Sequence, residues 1–132
     1  MDLRILEIAS NTENNKVINN FTHKSKNKNP ICGDEMEISL VVKNNTVIDI
    51  GYQCKSCVYC QASVSLLSQK IKNRKLDEIR IFLKSCEDIF ENTKIVLEKN
   101  WKDFLKLFNK KNISRKECLL LPLRTVLKAL KI

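Results

Sequence analysis

The apolar residues of this chain change their period at Cys57, and that change dictates what the two halves can fold into. Ahead of it the pattern alternates. Met36, Ile38 and Leu40 fall on one face of a strand running from Met36 to Val42, and Val47, Ile48, Ile50 and Tyr52 build a second strand from Val47 to Gln53. A period of two is that of a half-buried strand. Lys43-Asn44-Asn45-Thr46 between the strands is a turn, so the pair reads as a β-hairpin. Behind Cys57, Ala62, Leu66, Leu67 and Ile71 recur at helical spacing, and Asn73-Arg74-Lys75 ends that run. Apolar residues at helical spacing continue from about Asp77 to Asn109, through Ile79, Phe82, Leu83, Trp101 and Phe104. That length suits two helices, divided near Asn92, better than one. The last segment, Ser114 to Leu130, is expected to start on a Ser114 N-cap, to be interrupted by Pro122 and to be helical over Thr125–Leu130. Residues 2–9 predict a short amphipathic helix. Residues 10–29, rich in Asn, Lys, Ser and Thr, read as loop with one short strand near Phe21. No internal repeat or second domain is evident, and the 132 residues are the size of one domain.

Composition narrows the chemistry. Six cysteines are too few for a disulfide scaffold of this length and too many to be incidental. Met1-Asp2-Leu3-Arg4 leads into an acid-interrupted apolar segment without a cleavage pattern, and no apolar run approaches the roughly 20 residues of a membrane span. The expectation is a cytoplasmic protein with no membrane partner. There, cysteine clusters bind metal or perform sulfur chemistry more often than they form disulfides. The net charge of +9 suggests an acidic partner, but the lysines are dispersed and often flanked by asparagine, as in Lys26-Asn27-Lys28-Asn29. With only eight aromatic residues, the chain offers little surface for bases to stack on, so nucleic acid is disfavoured.

Three segments carry candidate ligands. In Asn29-Pro30-Ile31-Cys32-Gly33-Asp34, a thiol and a carboxylate flank a glycine that lets the backbone turn tightly enough for both to face one ion. Gly33 and Gly51 are the only glycines in the chain. In Cys54-Lys55-Ser56-Cys57-Val58-Tyr59-Cys60, the Cys-x-x-Cys spacing lets two thiolates share an ion. Cys57 lies at a helix N-terminus, which favours a thiolate. Cys60 would share a helical face with it and is expected to be a small core residue. In Arg115-Lys116-Glu117-Cys118-Leu119-Leu120-Leu121-Pro122, Cys118 opens the last helical stretch beside charge. Cys86 sits on an apolar helical face and reads as core, and His23, the only histidine, reads as solvated. Cys32, Asp34, Cys57 and Cys118 together make a three-sulfur, one-carboxylate set, suited to tetrahedral zinc or to an incomplete iron–sulfur site. A carboxylate in the fourth place makes such a site looser than an all-cysteine one.

These motifs resemble those of the iron–sulfur scaffold family of SufU and IscU, also found as the N-terminal domain of NifU. The family's N-P-x-C-G-D motif is matched by Asn29 to Asp34. Its second cysteine and following A-S-x-S are matched by Cys57 and Ala62-Ser63-Val64-Ser65, and its R-x-x-C-x-x-L-P by Arg115, Cys118, Leu121 and Pro122. Lys75-Leu76-Asp77-Glu78 is similar to the helix start that follows the family's G-K-S turn. The resemblance spans about residues 29–130 and is closest to the SufU branch. Glu117 stands where IscU-type proteins have a histidine, and Lys111-Asn112-Ile113-Ser114 replaces their L-P-P-V-K stretch. It implies an α+β fold, a small antiparallel sheet covered by helices on one side. It implies a zinc site of Cys32, Asp34, Cys57 and Cys118, with Cys32 as sulfur acceptor and Arg115 in a charge-supporting role. The partner it implies is a pyridoxal-phosphate cysteine desulfurase of the SufS type, with apo-iron–sulfur proteins or other assembly proteins downstream. On this reading the chain is at most a zinc-dependent sulfurtransferase. The alternative is a non-enzymatic scaffold holding iron or a transient 2Fe–2S cluster. A third reading is a zinc-stabilised adaptor.

The chain departs from the family around Cys57. The usual G-x-G-C is replaced by Cys54-Lys55-Ser56-Cys57, which stiffens the loop and adds thiols at Cys54 and Cys60. These could extend a sulfur relay, bind a different cluster or do nothing.

Overall fold

The computed structural model describes residues 3–31, 33–90 and 97–131. Among these residues a three-stranded antiparallel sheet has the order β1 (His23–Lys28), β2 (Glu35–Lys43) and β3 (Thr46–Lys55). The hairpin between β2 and β3 turns on Asn44 and Asn45, both in the left-handed region at φ 53° and 57°. Two consecutive positive φ angles are what a two-residue turn needs to match the twist of its strands, and asparagine tolerates them best after glycine. The turn fixes the register, with Ile38 opposite Tyr52 and Leu40 opposite Ile50. One face of the sheet therefore carries Met36, Ile38, Leu40, Ile50 and Tyr52, all buried.

Among the described residues four α-helices accompany the sheet: α1 (Leu3–Ala9), α2 (Val58–Ile71), α3 (Leu76–Cys86) and α4 (Lys116–Ala129). Two 3₁₀ segments, Lys99–Lys106 and Lys110–Arg115, precede α4. Helix α4 packs on β1 and β2, while α2 packs on β3, α1 and α4. The central position of α2 explains its side chains. Ser63, Ser65 and Ser68 are buried, and each hydroxyl is spent on a carbonyl, of Leu119, Asn11 and Ser65 respectively. At the far end, Phe82 stacks on Trp101 with ring centroids 4.2 Å apart, and Phe104 and Phe108 continue the cluster. This is the expected α+β arrangement. No described helix is long and apolar enough to cross a membrane.

Four expectations are corrected. The strand placed near Phe21 lies at His23–Lys28, where no apolar alternation marks it. It is a lysine-rich edge strand, specified by its ladder to β2, and lysine on an edge discourages pairing with other chains. Among the described residues, the helical pattern from Asp77 to Asn109 yields one α-helix, the eleven residues of α3, followed beyond Leu97 by the 3₁₀ segment that carries Trp101 and Phe104. The expected division at Asn92 lies outside the described residues. Ser114 does not cap α4. It lies inside the second 3₁₀ segment, which is capped by Asn109 accepting from the Lys111 N–H, and Arg115 is the α4 N-cap. Finally, α4 runs unbroken through Pro122. Proline inside a helix costs about 3 kcal/mol, and here burial of Leu119 to Leu123 offsets it. Hydroxyls also bond the neighbouring carbonyls, Ser63 to Leu119 and Thr125 to Leu121.

Gly51 has a role of its own. A Cβ there would lie 2.5 Å from the Lys16 carbonyl oxygen. The segment after α1 thus runs hard against β3, and the Tyr52 N–H donates to the Asn14 carbonyl.

Candidate metal centre

The turn between β1 and β2 is closed by Asn29. Its backbone N–H donates to the Asp34 carbonyl, its carbonyl accepts from the Gly33 N–H, and its Oδ1 accepts from the Ile31 N–H. Gly33 sits at φ +77°, yet a Cβ there would meet nothing within 4 Å. The glycine is required by backbone conformation, not by space. The turn delivers Asp34 into the protein at 7 % exposure.

Asp34 Oδ1 accepts the Cys57 N–H at 3.3 Å. Cys57 is the N-cap of α2, extended at φ −71° and ψ 168°. The break in hydrophobic period seen in the sequence is therefore the physical start of the helix. Cys118 comes from the first turn of α4, at 5 % exposure. The ligand atoms of Asp34, Cys57 and Cys118 all lie within 4.8 Å of one another. Around a tetrahedral zinc with bonds of about 2.3 Å, neighbouring sulfurs are about 3.8 Å apart. Asp34 Oδ2 is buried with no hydrogen-bond partner among the described residues. A buried carboxylate oxygen without a donor is costly, and a cation is the natural remedy. Two sulfurs and one oxygen, converging from three segments on an orphaned carboxylate, fit a thiophilic divalent ion such as zinc. Cys32 lies outside the described residues, so three of the four expected ligands are seen together.

The other candidates fall elsewhere. Arg115 is exposed and lays its guanidinium over the Tyr59 ring, 5.2 Å from the centroid, bridging the N-termini of α4 and α2. Cys60 is fully buried, and desolvation pushes its thiol pKa far up. Cys86 is likewise buried in the core with its pKa raised by desolvation. Cys54 is half-buried at the end of β3, opposite Met36. His23 opens β1, its Nδ1 2.8 Å from the Thr22 hydroxyl.

One arrangement escaped the sequence reading. Arg124 grips Glu87 through Nε and Nη2 at 2.9 and 3.0 Å, and its Nη1 donates to Glu117, the neighbour of Cys118. The Arg124 bonds hold Glu87 below its usual carboxylate range, and the two carboxylates raise the Arg124 pKa. Glu117 and Arg124 lie seven residues apart on one helix, two turns on the same face. That spacing was the available signal. Glu87 arrives from the end of α3, which no local pattern connects to α4.

Residues 2–103 match the family described as the NifU-like N terminal domain, a span that takes in Asn29 to Asp34 and Cys57 but stops short of Cys118. An iron–sulfur cluster assembly scaffold protein IscU of Thermotoga maritima is 28% identical over 128 residues, covering 96% of this chain and 89% of the relative. The zinc-dependent sulfurtransferase SufU of Bacillus subtilis is 25% identical over 87 residues, 66% of this chain and 58% of that protein. In fold, the chain superposes on a crystal structure of a putative iron–sulfur cluster assembly scaffold protein for the SUF system from Fervidobacterium islandicum. The TM-score is 0.90 and the identity 23%, over 99% of this chain and 96% of the other. A NifU-like N-terminal protein from Brucella abortus gives a TM-score of 0.88 at 22% identity, over 98% and 91%. The motif-bearing turn, the cysteine at the start of α2 and the family match over most of the chain agree: it belongs to the NifU-like N-terminal domain family of iron–sulfur cluster assembly scaffolds.

Proposed function

We propose that this chain is a cytoplasmic single-domain sulfur acceptor of iron–sulfur cluster assembly, taking persulfide sulfur from a SufS-type cysteine desulfurase. The observation that carries the reading is the convergence of Asp34, Cys57 and Cys118 around a buried carboxylate oxygen with no donor among the described residues. The relative named as a zinc-dependent sulfurtransferase supports zinc as the ion. Zinc, when bound, holds cysteine sulfurs as thiolates and shields them from adventitious oxidants. Asp34, Cys57 and Cys118 would hold it, with Cys32 as the fourth ligand and the acceptor. The Cys32 thiolate attacks the outer sulfur of the desulfurase persulfide. A new S–S bond forms on Cys32, the donor's S–S bond breaks, and the desulfurase cysteine leaves as thiolate. The Gly33 backbone beside Cys32 gives the turn the freedom such an exchange needs. Arg115, exposed at the N-termini of α2 and α4, supplies positive charge toward an incoming anionic persulfide.

The scaffold reading, in which a 2Fe–2S cluster is built on the same residues and passed to apo-proteins, is favoured by the IscU relative, which aligns with 96% of the chain. Incubation with a cysteine desulfurase and cysteine tests the acceptor reading. The expected result is faster cysteine turnover, with a persulfide mapped to Cys32. Unchanged turnover with no persulfide on Cys32 contradicts it.

A further inference from the structure

The proposed sulfur chemistry leaves one neighbour of the metal centre unused. Cys57 is the N-cap of α2, and Cys60 is the third residue of the helix. At a helix N-terminus the cap side chain folds back toward residue N3, the geometry by which capping hydroxyls reach the N3 N–H. Here the cap side chain ends in sulfur and makes no cap hydrogen bond, and residue N3 is also cysteine. Helical geometry sets Cα atoms three residues apart about 5 Å from one another, inside the range of about 4.4–6.8 Å that disulfides span. Cys57 is half-buried and Cys60 fully buried, so one sulfur meets reagents while the other is sheltered behind it.

Cys54 is the competing partner, and its backbone argues against it. Cys54 and Lys55 belong to β3, in register with Met36 and Glu35, and Cys57 is itself extended. Along the strand the course advances about 3.3 Å per residue, whereas one helical turn brings the Cα atoms of Cys57 and Cys60 to about 5 Å.

We propose that Cys57 and Cys60 form a redox-active dithiol, and that its oxidation to an intramolecular disulfide withdraws Cys57 from the metal-binding cluster. The oxidant is a peroxide. The Cys57 sulfur attacks a peroxide oxygen; an S–O bond forms, the O–O bond breaks, and hydrogen peroxide leaves one water and a sulfenic acid. The Cys60 sulfur then attacks the Cys57 sulfur. The S–S bond forms, the S–O bond breaks, and the hydroxyl departs with the Cys60 proton as a second water. Two electrons pass from the two sulfurs to the peroxide. The metal-binding cluster is left with Asp34 and Cys118 among its described members, so the ion is released. A dithiol reductant reverses the step by thiol–disulfide exchange. The dithiol does not depend on sulfur transfer, and only its consequence for the metal rests on Cys57 as a ligand.

The test uses the zinc-loaded full chain, one equivalent of hydrogen peroxide, a zinc-binding dye and tryptic mapping without reduction. Cleavage after Lys55 and Lys70 puts Cys57 and Cys60 alone in the peptide of residues 56–70, while Cys54 falls in that of residues 44–55. The expected product is the 56–70 peptide lighter by two hydrogens, formed in step with zinc release, both reversed by a dithiol with added zinc. In Cys60→Ala the disulfide is absent, a second equivalent of peroxide carries Cys57 on to the sulfinic acid, and zinc binding is not recovered. A cross-link between the 44–55 and 56–70 peptides, or oxidised Cys57 without any cross-link in the unmutated chain, overturns the dithiol. A reversible response in Cys60→Ala overturns it as well. A Cys57–Cys60 disulfide that leaves zinc bound overturns the coupling to the metal, and with it Cys57 as a ligand, without touching the sulfur-acceptor role of Cys32.

Discussion

Cys86 and Cys118 invite comparison because burial does not tell them apart. Both sit on amphipathic helices, both are buried, and both pack in the same hydrophobic core. They differ in what else reaches them. Cys86 ends α3 on the helix face that also carries Phe82 and Leu83, and desolvation holds its thiol neutral. Cys118 opens α4 within 4.8 Å of another sulfur and of a carboxylate whose second oxygen lacks a donor among the described residues. Burial therefore does not separate an inert cysteine from a ligand. Convergence of ligand-type atoms on a carboxylate oxygen without a donor among the described residues does, because an ordinary core has no reason to retain one.

The contrast breaks most violently at the inert end. Trp101→Ala removes the ring stacked on Phe82 and is expected to cost about 3–5 kcal/mol in chemical unfolding, while zinc stoichiometry of the folded fraction is unchanged. Loss of zinc stoichiometry in folded protein would mean that the two ends are not separate. Asp34→Ala is expected to weaken zinc affinity about 100-fold, or about 2.7 kcal/mol, in a chelator competition, with the chain still folded. Unaltered affinity would remove Asp34 from the ligand set. Gly33→Ala sharpens the comparison further. It forces a Cβ into the left-handed region and is expected to cost about 1–2 kcal/mol in denaturant without any steric clash. No loss of stability would contradict a conformational requirement at that turn. The smallest effect concerns Glu87. Its pKa is lowered in the folded protein by Arg124, so its stabilisation is present above the unfolded carboxylate pKa and lost as pH falls through the lower folded value. Arg124→Met is therefore expected to flatten stability against pH below about 4.5, the unfolded carboxylate value. An unchanged acid limb would show that the pair is not coupled to folding.

Much of this was readable from the chain, for identifiable reasons. The hairpin carries its register in alternating residues and in an Asn-Asn turn. The Asn29 to Asp34 turn declares itself through a glycine between two ligand types, and the start of α2 through a change of period at Cys57. Each of these is a local signal. The β1 strand was misplaced because an exposed lysine-rich edge has no hydrophobic period of its own, only a partner. Pro122 was read as a break because its local cost is visible in sequence, whereas the packing that offsets it is not. The Arg124 cluster joins α3 to α4, a pairing that no local pattern carries. Signals that live in pairs of distant segments stay silent in the chain.

The central claim, that convergence and not burial makes the metal centre, is tested most directly by metal and acid-labile sulfide analysis. The samples are anaerobically prepared unmutated protein, Cys86→Ala and Cys118→Ala. The account predicts about one zinc per chain, without iron or sulfide, in the first two and almost none in Cys118→Ala. Equal metal in all three, or loss of metal from Cys86→Ala alone, would contradict it.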